Sequence, residues 1–271
     1  MKTFVMIGLA MLASISTTAS AQGLPLQTTT GAEIGIQLSS YKYEEDRNGS
    51  FLMSLEGKKL GLTGSFTQAY GENQYWGGDI RYASGNADYT SAGTGDKSAN
   101  PDSYVDARVT FGRDFDVGSQ VLSPYAGLGY RYLNSDLRGY TTTGAAGYRR
   151  TSNYIYLPLG VTHRFRMGPE ARFATTFEYD YLLQGMQRSY MTDVPAGGYD
   201  RDLNNQQRTG HGLRLSLAYE AESWSAGVFY HYWNIADSDI GVYTSPGLVY
   251  TGYEPHNITR EVGVQVKYRF R

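Results

Sequence analysis

Four histidines, His163, His211, His231 and His256, and no cysteine set the chemistry open to this 271-residue chain. Acyl transfer on a β-strand needs a base and a nucleophile two residues apart, because only alternate side chains share a face. No histidine has a serine at that spacing: Arg164-Phe165, Gly212-Leu213, Tyr232-Trp233 and Asn257-Ile258 follow them. His231, placed near the outer end of its segment with Asp237 and Asp239 nearby, is the one candidate base. A histidine packed among Tyr230, Tyr232 and Trp233 is the plainer account. Scattered histidines without thiolates give no metal-ligand spacing, and no cofactor or metal is expected.

A denser pattern is formed by arginines and carboxylates set opposite apolar residues. The closing stretch, 259–271, reads TREVGVQVKYRFR. Val262, Val264, Val266, Tyr268 and Phe270 alternate there with Gly263, Gln265, Lys267, Arg269 and Arg271. Period two over this length is a β-strand with one apolar and one polar face. Nine similar segments precede it: 33–43, 51–70, 75–89, 103–114, 121–133, 154–166, 171–183, 208–220 and 224–235. In the second, apolar parity switches between Met53/Leu55 and Leu60/Leu62/Phe66, which predicts a β-bulge near Lys58 and Lys59. The face opposite the apolar one carries Glu33, Asp79, Arg81, Asp106, Arg108, Arg131, Arg164, Arg172, Glu178, Asp180, Arg214, Glu220, Glu261, Lys267 and Arg269. The two signs are nearly balanced.

The rest of the chain says what these segments build. Lys2, the apolar run 4–13 and the small residues Ala19-Ser20-Ala21 read as a signal peptide, residues 1–21, whose run of about ten residues is too short to span a membrane. Residues 22–271 then form one domain. Mean hydropathy is -0.44, which does not exclude a transmembrane barrel, since alternation hides its lipid face. The 25 tyrosines suit strands and membrane–water boundaries. A net charge of -2 gives no case for nucleic acid.

Signal peptide and closing strand together resemble the bacterial outer-membrane β-barrels, whose chains typically end in such a strand with a final Phe; here Arg271 leaves Phe270 penultimate. The resemblance implies an all-β, transmembrane, antiparallel up-and-down barrel of ten strands, with short periplasmic turns and longer outer loops. Connections after the second, fourth, sixth and eighth segments are indeed short, while 90–101, 134–152, 184–207 and 237–257 are longer. Lipid demands apolar residues outward and charges inward, the reverse of a soluble sandwich or lipocalin-like barrel. The charged residues would then fill the lumen, Asp79 and Arg81 level with Arg108 and Asp106, Glu178 and Asp180 with Arg214, and Glu33 with Lys267 or Arg269.

Omptin proteases are similar in strand number, but their Asp-x-His element is absent. The expectation is therefore a non-enzymatic outer-membrane protein with a structural or surface-interaction role, the alternative being a narrow porin for ions or small solutes. Its partners would be the lipid bilayer, lipopolysaccharide, the barrel-assembly machinery and an extracellular ligand met by Tyr- and Gly-rich loops.

Overall fold

A computed structural model describes residues 24–270; the expected signal peptide lies outside the described residues. Ten long strands follow in order: β1 (Gly31–Arg47), β2 (Ser50–Tyr70), β3 (Gln74–Ser91), β4 (Gly95–Arg113), β5 (Gln120–Tyr140), β6 (Ala146–Arg166), β7 (Arg172–Ser189), β8 (Gly210–Glu220), β9 (Trp224–Ile235) and β10 (His256–Phe270). Each pairs antiparallel with the next, and β10 pairs with β1 from Ala32↔Phe270 to Asp46↔His256, closing the barrel. Closure leaves no strand edge unpaired along this ladder. Short strands at Phe115–Val117 and Leu203–Gln207 extend the sheet, and a hairpin of Gly241–Ser245 with Leu248–Gly252 stands apart.

The polarity is inside out. Ile36 is 57 % exposed and Val264 53 %, while Glu178, Asp180, Asp106 and Glu261 are buried. Outward positions carry Ile34, Ile36 and Leu38 on β1, Leu60, Leu62 and Phe66 on β2, Val109 and Phe111 on β4, and Val262 through Phe270 on β10. At the end with the short turns, rings run around this band: Phe165–Phe173, Phe173–Tyr219 and Tyr219–Trp224 have centroids 5.7, 5.8 and 5.5 Å apart. At the end with the loops, Tyr179, His211 and Tyr232 form a second girdle. From Trp224 to Tyr232 is about 27 Å of strand, or roughly 20 Å along the axis at a tilt near 40°. Beyond it the outward side chains turn polar: Lys42, Glu44, Lys58, Glu56 and Arg260.

The predicted bulge at Lys58 and Lys59 is absent. β2 pairs without interruption with β1 from Thr67 to Met53, and the register shift lies between Glu45 and Asp46. The parity switch has another cause. Leu60 and Leu62 face outward within the band; Met53 and Leu55 face inward beyond it, in an interior core. Where strands leave the apolar band, the inside becomes the dry side. The strands also run further than the sequence pattern suggested: 90–101 is mostly β3 and β4, and 134–152 mostly β5 and β6. The short connection between β1 and β2 is explained by Asn48 and Gly49, both at positive φ (52° and 78°), the Asn-Gly pair that a tight hairpin favours.

If the outward band meets lipid, Val264→Arg at its middle should cost about 2–4 kcal/mol of folding free energy, and Ser40→Arg at its loop-end border about 0–1. Urea titration of folding into vesicles measures both.

Candidate functional site

The lumen is filled in tiers. At the turn end, residues 24–30 cross the barrel mouth as a strap. Leu24 and Leu26 are buried. Arg166 donates to the Leu24 carbonyl at 2.9 Å, Arg172 donates to that of Pro25, and Thr28 donates from Oγ1 to Asp114 at 2.9 Å. Above it Arg269 donates to Glu33 at 2.6 Å, with Lys267 3.7 Å from the same carboxylate, and Arg172 donates to Glu220 at 2.6 Å. A cavity of about 290 Å³, lined in part by Asp79, Arg108, Arg164 and Lys267, lies over this floor.

The second tier is a charged network. The β3–β4 register sets Asp79 opposite Arg108, which pairs with it at 3.0 Å and also pairs with Glu178. Arg214 donates to Asp180 at 2.7 Å and to Asp106 at 2.9 Å, with Glu178 at 3.1 Å. Tyr125 donates to Glu178 and Tyr156 to Asp106, each at 2.6 Å. Arg81 and Asp106 face one another in register but do not pair. Arg81 instead donates to Gln37 at 3.1 Å and Tyr104 at 2.8 Å, and lies 3.5 Å from Glu261. Arg131 is fully buried and held mainly by rings, 5.2 Å from the Tyr104 centroid and 5.6 Å from that of Trp233, with Asp106 3.9 Å away. Arg164 completes the set, donating to Ser123 at 2.8 Å.

Glycine makes room for the rings. A Cβ on Gly129 would sit 2.1 Å from the Tyr156 ring, and one on Gly160 would sit 2.3 Å from that of Tyr125. Each pair is directly opposed across neighbouring strands. Part of the Tyr and Gly content therefore belongs to the lumen and not to recognition loops.

The third tier is apolar: Tyr41, Tyr43, Leu55, Leu133, Tyr154, Leu182, Trp233 and Ile235 pack together across the barrel. Trp233 stands edge-on to Tyr156 at 5.1 Å. Lys59 and Asp102 pair beneath Tyr41, with Ser135 donating to Asp102 at 2.5 Å. Sequence reasoning missed this ion pair. The supposed bulge hid the parity Lys59 shares with Gly57 and Gly61, and Asp102 fell between the loop read at 90–101 and the strand read from 103.

His231 is not at the rim. It faces the lumen opposite Arg214 and Glu261, its Nδ1 2.5 Å from Arg81. Asp237 and Asp239 are occupied elsewhere, accepting from the backbone N–H groups of His256 and Gln206. Beyond the loop-end girdle stands His256, whose ring contacts Asp46 at 2.5 Å and Asn234 at 3.0 Å. No group of three or more metal-binding side chains occurs among the described residues.

Above the apolar tier opens a cup of about 300 Å³. At one side Glu45 and Glu254 share a single guanidinium, Arg150, which donates to Glu45 at 2.5 Å and also to Glu254; Tyr43 donates to both, at 2.9 and 2.8 Å. Glu254 precedes β10, beyond the apolar band. Burial pushes its carboxyl up to about 8; Arg150 opposes the rise and Glu45 adds to it. The loop tyrosines pack on each other or on arginines: Tyr199 lies 5.4 Å from Tyr243, and Tyr190 lies 4.5 Å from both Arg149 and Arg188.

Two outcomes follow. Lys59→Ala strands the Asp102 charge in the interior and should cost about 3–5 kcal/mol, read by urea unfolding. Glu254 unfolded loses its proton near pH 4–5, whereas folded it keeps it until about 8, so the folded state binds more protons in between. Stability should therefore fall as pH rises through that window, by on the order of a few kcal/mol, and Glu254→Gln should remove most of the fall in melts at several pH values.

No family model matches this chain, and no curated protein matches it. Among solved structures, the outer membrane protease OmpT from Escherichia coli is similar over 93% of this chain and 100% of its own, with 10% identity and a TM-score of 0.59. The translocator domain of the autotransporter NalP from Neisseria meningitidis matches over 90% of each chain at 12% identity, with a TM-score of 0.42. The attachment invasion locus protein Ail of Yersinia pestis matches over 90% of this chain and 100% of its own at 10% identity, with a TM-score of 0.35. At such identity the likeness to OmpT speaks for the fold alone. Closed antiparallel ladder, inverted polarity and that likeness agree: the chain has the fold of the bacterial outer-membrane β-barrels.

Proposed function

We propose that this protein is a non-conducting, non-enzymatic barrel of the outer membrane, inserted through the bilayer, whose work is done by its loop end at the cell surface. One observation carries the reading: the interior is closed by three stacked tiers, strap, ion network and apolar core. The two cavities share no lining residue, and the layer around Lys59, Tyr104 and Trp233 lies between them. A barrel of this strand number has an interior that side chains can fill, whereas aqueous channels need about sixteen strands. Within the network, each carboxylate of Asp79, Asp106, Glu178 and Asp180 has an arginine partner, which offsets its desolvation through charge-assisted hydrogen bonds.

The strands continue well past the apolar band at the loop end, raising the cup and the hairpin above the membrane. Lys42, Lys58 and Arg260 stand outward at that border, where phosphate-bearing lipid headgroups such as those of lipopolysaccharide would meet them. The apolar face of β10, from Val262 to Phe270, is the segment offered to the assembly machinery.

In planar bilayers the wild-type protein should give no resolved channel steps. Arg108→Ala with Arg214→Ala, combined with deletion of 24–30, should open conductance only if the apolar tier is also trimmed by Trp233→Ala. Steady conductance from the wild type would instead favour the narrow-porin reading.

A further inference from the structure

The cup at the loop end holds a carboxylate pair set apart from the charged network below it. Lower in the lumen Asp79, Asp106, Glu178 and Asp180 stand among three arginines, Arg108, Arg131 and Arg214. In the cup, two buried carboxylates, Glu45 at 6 % and Glu254 at 5 % exposure, share one guanidinium. Only the Oε1 atom of each accepts from Arg150 and Tyr43, and the two carboxyl groups are hydrogen-bonded to each other. Both residues line the cavity. The other cation on its wall, Lys97, is engaged by Asn100.

The remaining wall is of a different character. Met53, Leu137 and Leu203 supply aliphatic surface, and Tyr148 and Tyr253 supply rings, around about 300 Å³ of space. That is the lower end of the range for small-molecule sites, which combine apolar walls with a few convergent polar groups. A half-satisfied carboxylate pair attracts a cation, and tyrosine faces favour an organic cation over a bare hydrated one. An inorganic divalent ion would need a fuller set of oxygen ligands.

We propose that this cup binds a small amphipathic amine, its ammonium group at Glu45 and Glu254 and its apolar body against Leu137 and Leu203. The ammonium takes the place of the proton between the two carboxyl groups and donates to both, so the second buried charge gains a partner. The proposal takes from the closed-barrel reading only the outward orientation of the cup. Binding to purified protein in detergent does not depend on orientation or conductance, so the two can fail separately.

The probe is 2-phenylethylamine, titrated calorimetrically at about pH 8.5, where the Glu254 carboxyl is ionised, with 2-phenylethanol as its neutral counterpart. The amine should bind at least about ten-fold more tightly than the alcohol. Glu254→Gln, its fold checked by heat-modifiable mobility, should lose about ten-fold in amine affinity and leave the alcohol unchanged. Ala145→Trp, which fills the cup without touching the carboxylates, should abolish both. Equal affinities for amine and alcohol, amine binding untouched by both substitutions, or no amine binding up to about 10 mM would overturn the proposal.

Discussion

A charge that faces lipid has nowhere to send its field, and a charge inside a small barrel has only other side chains. Every other feature of this protein follows from that constraint. Ten strands close a ladder around an interior narrow enough that arginines on one strand reach carboxylates three or four strands away, as Arg108 reaches Glu178 and Arg214 reaches Asp106. Backbone pairing satisfies the peptide groups, and the ion network holds the walls at fixed separation. Without cysteine, these two are the devices that tie distant parts of the chain together.

The interior is not uniform along the axis, and the change of character marks the membrane's extent. Within the apolar band the inside is charged. Beyond it, where water surrounds the barrel, the inside becomes an aromatic core of the kind a soluble protein builds. The two parts depend on each other. Tyr104 and Tyr156 belong to both, each with a ring in the core and a hydroxyl on a carboxylate below, Glu261 and Asp106. Closure of the lumen is thus a property of the fold's two solvents, and it leaves the cup and hairpin at the loop end as the surface free to meet other molecules.

Period two made the ten strands and their faces legible, and the pairing of Glu33 with Arg269 or of Asp180 with Arg214 could be anticipated from depth alone. Three things could not. Strand ends were hidden, because past the band the pattern loses its lipid-facing side: Asn100 and Asn134 look like loop residues but continue β4 and β5. The expected bulge at Lys58 and Lys59 is absent because an apolar residue can face either way once the outside is wet. The cup was invisible, since Glu45, Arg150 and Glu254 lie far apart in sequence and meet only when β1 and β6 approach the segment before β10. Arg150 does share parity with Ser152 and Tyr154, a signal that reading 134–152 as loop obscured.

Whether the aliphatic face looks at lipid and the charged face at the axis is best measured directly, by spin labels placed one at a time along β10 of the protein in vesicles. Labels at Val264 and Val266 should be open to dissolved oxygen and shielded from a water-soluble nickel reagent, while those at Gln265 and Lys267 should be shielded from oxygen. The reverse alternation, or equal access to the water-soluble reagent at all four positions, would contradict the account.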